Sequence, residues 1–332
     1  MKNYKIMMES PGNANLREFE IPELKPDQVL IRNHFTAVSA GTERAWSLDM
    51  PNAHSTFPYM PGYSGAGEVV RIGSEVTNIK VGDRVVVNWG GHQLYSTKDQ
   101  NLVRIPEGIS MKEAAFTHIA SFPINGVRKL HLELGESVMI AGQGILGVFA
   151  LQTAALCGAV PLIVSDFSPE RRALAEKLGA DYALDPGDEH YKDRVMELTD
   201  GKGVNAVIEV TGSAKALQQV LEYIAFEGRI SLLGCTRVSD APIDFYKYVH
   251  ARGVQLIGAH TMSRAKLESA PYHWTEQDDY RAFLKLLARG KVKVEPVISE
   301  VYSPEQAHDV YKMLAENKNP PLGLVYDWTK LA

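Results

Sequence analysis

The sequence predicts an α/β protein in two parts, a compact β-rich domain and a doubly wound parallel sheet. Three observations predict it. Up to about residue 122, short β-like runs alternate with Gly and Pro punctuation. From Pro123 onward, strand-like and helix-like segments alternate. A glycine-rich turn, Gly142-x-Gly144-x-x-Gly147, stands where one such strand meets one such helix.

In the first part the β-like runs include Val29-Leu30-Ile31, residues 67–72 and Arg84-Val85-Val86-Val87, and helical periodicity is scarce. In the second part, strands are expected at 137–141, 162–166, 181–184, 205–210, 229–233 and 254–259. Helices are expected near 144–157, 169–178, 189–199 and 213–225. Right-handed crossovers then stack these strands into one parallel sheet. After about 265 come a helix (278–289), a strand (296–302), a helix (304–316) and a last strand (322–327). That tail does not extend the parallel sheet, so it is expected to return to the N-terminal domain. The domain boundaries expected are 1–122 with 266–332, and 123–265.

The turn after the first strand of the alternating part carries chemistry. Gly142 allows a tight turn, Gly144 lets a pyrophosphate approach the backbone, and Gly147 lets the helix pack on the sheet. Gln143, Ile145 and Leu146 complete the loop at the helix N-terminus, where free N–H groups and the dipole favour phosphate. Asp166 lies 24 residues after Gly142 at the end of the second strand, where its carboxylate suits the ribose hydroxyls of NAD and repels the 2′-phosphate of NADP. Arg171 and Arg172 follow, but Ser168-Pro169 reads as an N-cap with Pro at the first helical position. The arginines then fall on a helix face expected to be solvated. This is a Rossmann dinucleotide site, and Thr211 and Gly234, after later strands, are expected to border it.

Composition bounds the rest. The chain has 332 residues, 45% hydrophobic and 23% charged, with a net charge of −5. This is ordinary for a globular enzyme of two domains, with no basic run for nucleic acid. No apolar stretch has membrane-spanning length, and MKNYKIMMES has no signal-peptide core, so a cytoplasmic location is expected. Cys157 and Cys235, the two cysteines, offer neither a disulfide framework nor a four-cysteine zinc site.

Residues 61–70 (PGYSGAGEVV), residues 81–85 (VGDRV), the glycine fingerprint, Glu209-Val210-Thr211-Gly212 and the ending 321–325 (PLGLV) together resemble the medium-chain dehydrogenase/reductase superfamily. The resemblance covers nearly the whole chain. It implies a GroES-like catalytic domain split between the chain ends, an inserted Rossmann domain, an active site between the two, and a homodimer or homotetramer. Residues 39–44 and 271–275 are similar to a subgroup that includes bacteriochlorophyllide-type hydroxyethyl dehydrogenases. The departures from the family pattern concern zinc. Ala40 stands at the position of the first ligand cysteine, Tyr63 and Ser64 fill the P-G-H-E positions of the ligand histidine, and His118 falls at the third ligand position. The lobe of four structural cysteines is absent, since Asn88 runs through Gly90-Gly91-His92 into Gln93. No zinc site is expected, and NAD(H) is the expected cofactor.

Without a metal, a side chain has to polarise and protonate the carbonyl oxygen that receives hydride. Thr42, Tyr63 and His118 are the candidates: a relay hydroxyl, a phenol and an imidazole that titrates near neutrality. Glu43 is expected in a buried pair with Arg44 or another base. Trp89, His260 and Trp274 are expected to line the substrate pocket, and His54 and His92 to lie on loops near it. The favoured reaction interconverts a secondary alcohol and a ketone on a sugar, cyclitol or larger ring. The competing readings are a quinone or enone reductase and a non-catalytic nucleotide-binding protein.

Overall fold

A computed structural model describes residues 2–331 apart from His54 and Lys318. The expectation for His54 therefore lies outside the described residues. Contacts divide the chain into two units, Met1–Ile119 with Tyr280–Ala332, and Ala120–Asp279.

The first unit opens with an antiparallel hairpin of β1 (Lys2–Ser10) and β2 (Asn13–Glu20). There follow β3 (Gln28–Val38), α1 (Ala40–Ser47), β4 (Ser64–Ile72), β5 (Arg84–Asn88), β6 (Tyr95–Asp99) and α2 (Met111–Ala114). Helix α1 arises where the sequence shows little helical pattern. Its first residues follow directly from β3, and it buries Ala40, Glu43, Ala45 and Ser47 on one side. Helix α3 (Thr117–Arg128) contains Pro123, the residue expected to open the alternating region. Proline removes one N–H from the helix, and the continuous burial of residues 117–127 offsets that loss.

The second unit is the doubly wound sheet. Its strands are β7 (Val138–Ala141), β8 (Leu162–Ser165), β9 (Tyr182–Leu184), β10 (Val204–Glu209), β11 (Ile224–Leu232) and β12 (Gln255–Gly258). Helices α4 (Ile145–Leu156), α5 (Pro169–Lys177), α6 (Tyr191–Leu198), α7 (Ala214–Tyr223) and the short α8 (Phe245–Tyr248) connect them. The strand order is β12-β11-β10-β7-β8-β9, with all of these pairs parallel. Strand order therefore reverses between β7 and β10, and ligands of such sheets bind at the carboxyl ends of the strands beside that point. Strands β7 and β8 are wholly buried, as expected for a parallel sheet covered on both faces.

Helix α9 (Glu276–Ala288) leads the chain back to the first unit, followed by β13 (Ile298–Tyr302), α10 (Ala307–Glu316) and β14 (Gly323–Asp327). Strand β14 pairs antiparallel with β3 and parallel with β13, so the tail completes the sheet β13-β14-β3-β4-β5, with β6 also on β3. The first unit's core joins both chain ends, with Ile6, Met8 and Val38 packed with Tyr311, Leu324 and Trp328. No helix among the described residues is long and apolar enough to cross a membrane.

Candidate functional site

The second unit builds a cradle at the carboxyl ends of β7 and β10. A Cβ on Gly147 would stand 2.0 Å from the carbonyl oxygen of Gly142, so glycine is required for α4 to reach the turn. Gly144 is the N-cap of α4, and a Cβ there would meet nothing within 4 Å. That open backbone, beside the free N–H groups of a helix N-terminus, fits the pyrophosphate of a dinucleotide. The loop is braced from its flanks. Asp166 accepts from Gln143 N at 2.8 Å and from Ser168 N at 2.8 Å, which holds its carboxylate at the end of β8. The Gln143 side chain is buried and donates to Gly142 O at 3.0 Å.

Glu209 shapes the other wall. Its carboxylate accepts from Thr211 N at 2.7 Å, Gly212 N at 3.2 Å and the Thr211 hydroxyl. This folds residues 209–212 into a turn whose Thr211 methyl lies against Gly142. Burial outweighs these donors and pushes the Glu209 carboxyl above its ordinary range. Gly234 packs backbone to backbone on Gly212. Arg172 does not lie on a solvated face as expected. It donates to Asp166 O at 2.6 Å and Asp185 Oδ2 at 3.0 Å, because β8 ends with carbonyls that need donors. Arg171 is likewise mostly covered, 3.9 Å from Asp166 Oδ2.

The first unit contains a cavity of about 200 Å³ whose walls include Thr42, Glu43, Trp46, Tyr59, Tyr63 and Trp89. Thr42 and Glu43 come from α1, and Tyr63 from the residue before β4. Trp89 has φ of +50°, an uncommon conformation for a tryptophan, and donates its N–H to Tyr63 O at 2.8 Å. Its ring lies 5.3 Å from that of Tyr63 and 4.9 Å from that of His118. His118 meets Tyr63 edge-on at 5.5 Å, and its Nδ1 is 2.5 Å from the Tyr280 hydroxyl. The three expected catalytic residues thus share one region, but with different exposure. Thr42 and Tyr63 border the cavity, whereas His118 stands behind Tyr63 and Trp89 and is completely buried.

Beneath the cavity lies a hydrogen-bonded network that local sequence does not announce. Glu43 pairs with His92, not Arg44; His92 Nε2 is 3.0 Å from Glu43 Oε2. Ser39 N donates to Glu43 Oε1 at 2.8 Å, and the Tyr311 hydroxyl donates to Oε2. His92 Nδ1 lies 2.7 Å from Thr36 Oγ1, which also accepts from Trp328 Nε1 at 2.8 Å. Burial works against the charge on Glu43, but the His92 ring, the Tyr311 hydroxyl and the Ser39 amide hold the carboxyl below its ordinary range. His92 lies on a loop, as expected, but does not line the cavity. Its ring is fully buried under Gly62, where a Cβ would fall 2.5 Å from it. The guanidinium of Arg44 turns instead to Met50 Sδ and Ala315 O.

Neither His260 nor Trp274 lines this cavity. Both belong to the second unit. His260 lies exposed in the turn after β12, with Nδ1 accepting from Met262 N at 3.2 Å. Trp274 carries the Arg128 guanidinium 4.4 Å above its ring. Arg128 also pairs at 3.2 Å with buried Asp279, whose carboxyl burial pushes up to about 6.

Known proteins share the family and the fold. Residues 25–131 match the alcohol dehydrogenase GroES-like domain, and residues 146–289 match the zinc-binding dehydrogenase family. The chain is 30% identical over 331 residues to L-threonine 3-dehydrogenase of Pyrococcus horikoshii, with 90% of each chain covered. It is 27% identical to D-guloside 3-dehydrogenase of Escherichia coli, covering 91% of this chain and 94% of that one. The fold is also that of a protein from Sinorhizobium meliloti described as a zinc-binding dehydrogenase and bound to NADP. That structure has a TM-score of 0.83 at 22% identity, with 98% of this chain and 99% of that one covered. The chain therefore belongs to the medium-chain dehydrogenase/reductase superfamily, as an oxidoreductase of the alcohol dehydrogenase type.

Proposed function

We propose that the protein is a zinc-independent oxidoreductase that transfers hydride between NAD(H) and a secondary alcohol or ketone on a sugar, cyclitol or larger ring. The observation that carries this reading is the cavity wall of Thr42 and Tyr63, hydroxyl-bearing side chains beside tryptophan rings, with Tyr63 at a position where the family pattern has a metal ligand. The family implies zinc, and the residues present do not fit it. Ala40 offers a methyl group. Ser64 Oγ is buried and donates to Ala115 O at 2.5 Å, and the one imidazole, His118, is held through Nδ1 by Tyr280. Catalytic zinc needs three protein ligands and an open position.

The cradle fits a dinucleotide, held by the backbone of residues 142–147 with Asp166 on the adenosine ribose. When bound, the nicotinamide supplies or accepts the hydride. Tyr63 is the proton donor in the direction of reduction, giving its phenolic proton to the carbonyl oxygen, and it takes that proton back in oxidation. Thr42 orients the same oxygen. His118 acts as a positioning residue, packing against the rings of both Tyr63 and Trp89. The D-guloside and L-threonine relatives are 3-dehydrogenases by name, and the aromatic walls here suit the apolar face of a ring.

The test is activity on a panel of keto-sugars and cyclic ketones after exhaustive chelation. Turnover with NADH is expected to survive metal removal and to exceed turnover with NADPH. Activity lost on chelation and restored by zinc would refute the proposal.

A further inference from the structure

We propose that Glu43 sets the charge specificity of the cavity, so that it accepts neutral or positively charged ring alcohols and excludes phosphorylated or carboxylated ones. The inference rests on the proposed ring-alcohol reaction for its biological meaning, but not for its test.

Three observations carry it. Glu43 borders the cavity, and the other walls named above are aromatic rings and a hydroxyl. The described residues lining the cavity include no Lys, Arg or His. Among the described residues, the group within ion-pair distance of the Glu43 carboxylate is His92 alone.

Hydrogen-bond satisfaction decides the charge of that partner. Thr36 is buried and already accepts from Trp328 Nε1, so its own O–H has His92 Nδ1 as acceptor. A proton on His92 Nδ1 would leave the Thr36 hydroxyl without an acceptor in a dry interior, which is costly. The neutral tautomer satisfies the whole chain. Trp328 donates to Thr36, Thr36 to His92, His92 to Glu43, and Tyr311 and Ser39 also donate to Glu43. The donors all point toward one carboxylate. The carboxylate keeps its negative charge, solvated by dipoles, just beneath an aromatic pocket that Glu43 borders. Tryptophan and tyrosine faces attract cations, so walls and carboxylate act in the same direction. An anionic substituent entering the cavity meets a like charge in poorly screened surroundings.

The experiment uses the full chain and binding alone. Cyclohexylammonium, cyclohexanol and cyclohexanecarboxylate share one shape and differ in charge at neutral pH. Titrating each against tryptophan fluorescence reports on Trp46 and Trp89 without turnover or cofactor. The ammonium and the alcohol are expected to bind roughly tenfold or more tighter than the carboxylate. In Glu43→Gln the three affinities are expected to converge to within about threefold. Equal binding of carboxylate and ammonium by the native protein overturns the proposal, as does no binding of any of the three. Discrimination retained in a folded Glu43→Gln variant also overturns it. Should that variant not fold, the native series decides. A protein that fails to turn over ring alcohols yet shows this order of affinities would refute the reaction and keep the pocket.

Discussion

In the proposed reaction Tyr63 has two tasks, packing and proton transfer. Its ring packs with those of Trp89 and His118, and the residue borders the cavity. The two tasks separate on removing the oxygen alone. Tyr63→Phe is expected to lower kcat by roughly a hundredfold or more, the range for loss of a general acid, with KM changed little because the stacking is kept. Steady-state kinetics check this, and an unchanged kcat would remove the phenol from the chemistry. At this scale much of the site was legible. Thr42 and Tyr63 each stand in a short motif with a recognisable spacing, and both border the cavity, as does Trp89. The partner of Glu43 was not readable. Arg44 is its neighbour in sequence, yet the base that reaches it is His92, from a loop on the far side of Gly62.

Among the elements, the turn from β7 into α4 is the most fully specified by local sequence. Its two inner glycines are required for different reasons, and this difference is measurable. Gly147→Ala drives a methyl into the Gly142 carbonyl, so it is expected to destabilise the protein by about 1–3 kcal/mol and to weaken dinucleotide binding. Gly144 has φ of −71°, which alanine adopts freely, and open space around it. Gly144→Ala is therefore expected to leave the melting temperature unchanged while weakening NADH binding roughly tenfold or more, by crowding the phosphates. Thermal unfolding and NADH titration of both variants check the pair; equal loss of stability in the two would contradict it. Helices α1 and α3 were less legible than this turn. Gly41 lies within α1 and Pro123 within α3, and both residues are poor helix formers. Burial of one side of α1 and of nearly all of α3 overrides that preference.

For the whole molecule, the consequential feature is that the first unit is assembled from both chain ends. Strand β14 supplies a partner to β3, and Trp328, completely buried, donates to Thr36 within β3. Trp328→Ala is expected to destabilise the first unit by about 3–5 kcal/mol and to leave the second unit, residues 120–279, unaffected. Hydrogen exchange resolved by peptide checks this, and uniform loss of protection in both units would count against it. By itself the sequence determined the alternation of strands and helices, the glycine cradle and the carboxylate of Asp166. All of these depend on residues close together in the chain, where spacing and chemistry are visible. Only the tertiary structure decided what surrounds Glu43. Tyr311 lies 268 residues away from it, and Trp328 lies 292 residues from Thr36. Contacts over such separations follow from how the tail closes the β3 sheet, and no local periodicity encodes them.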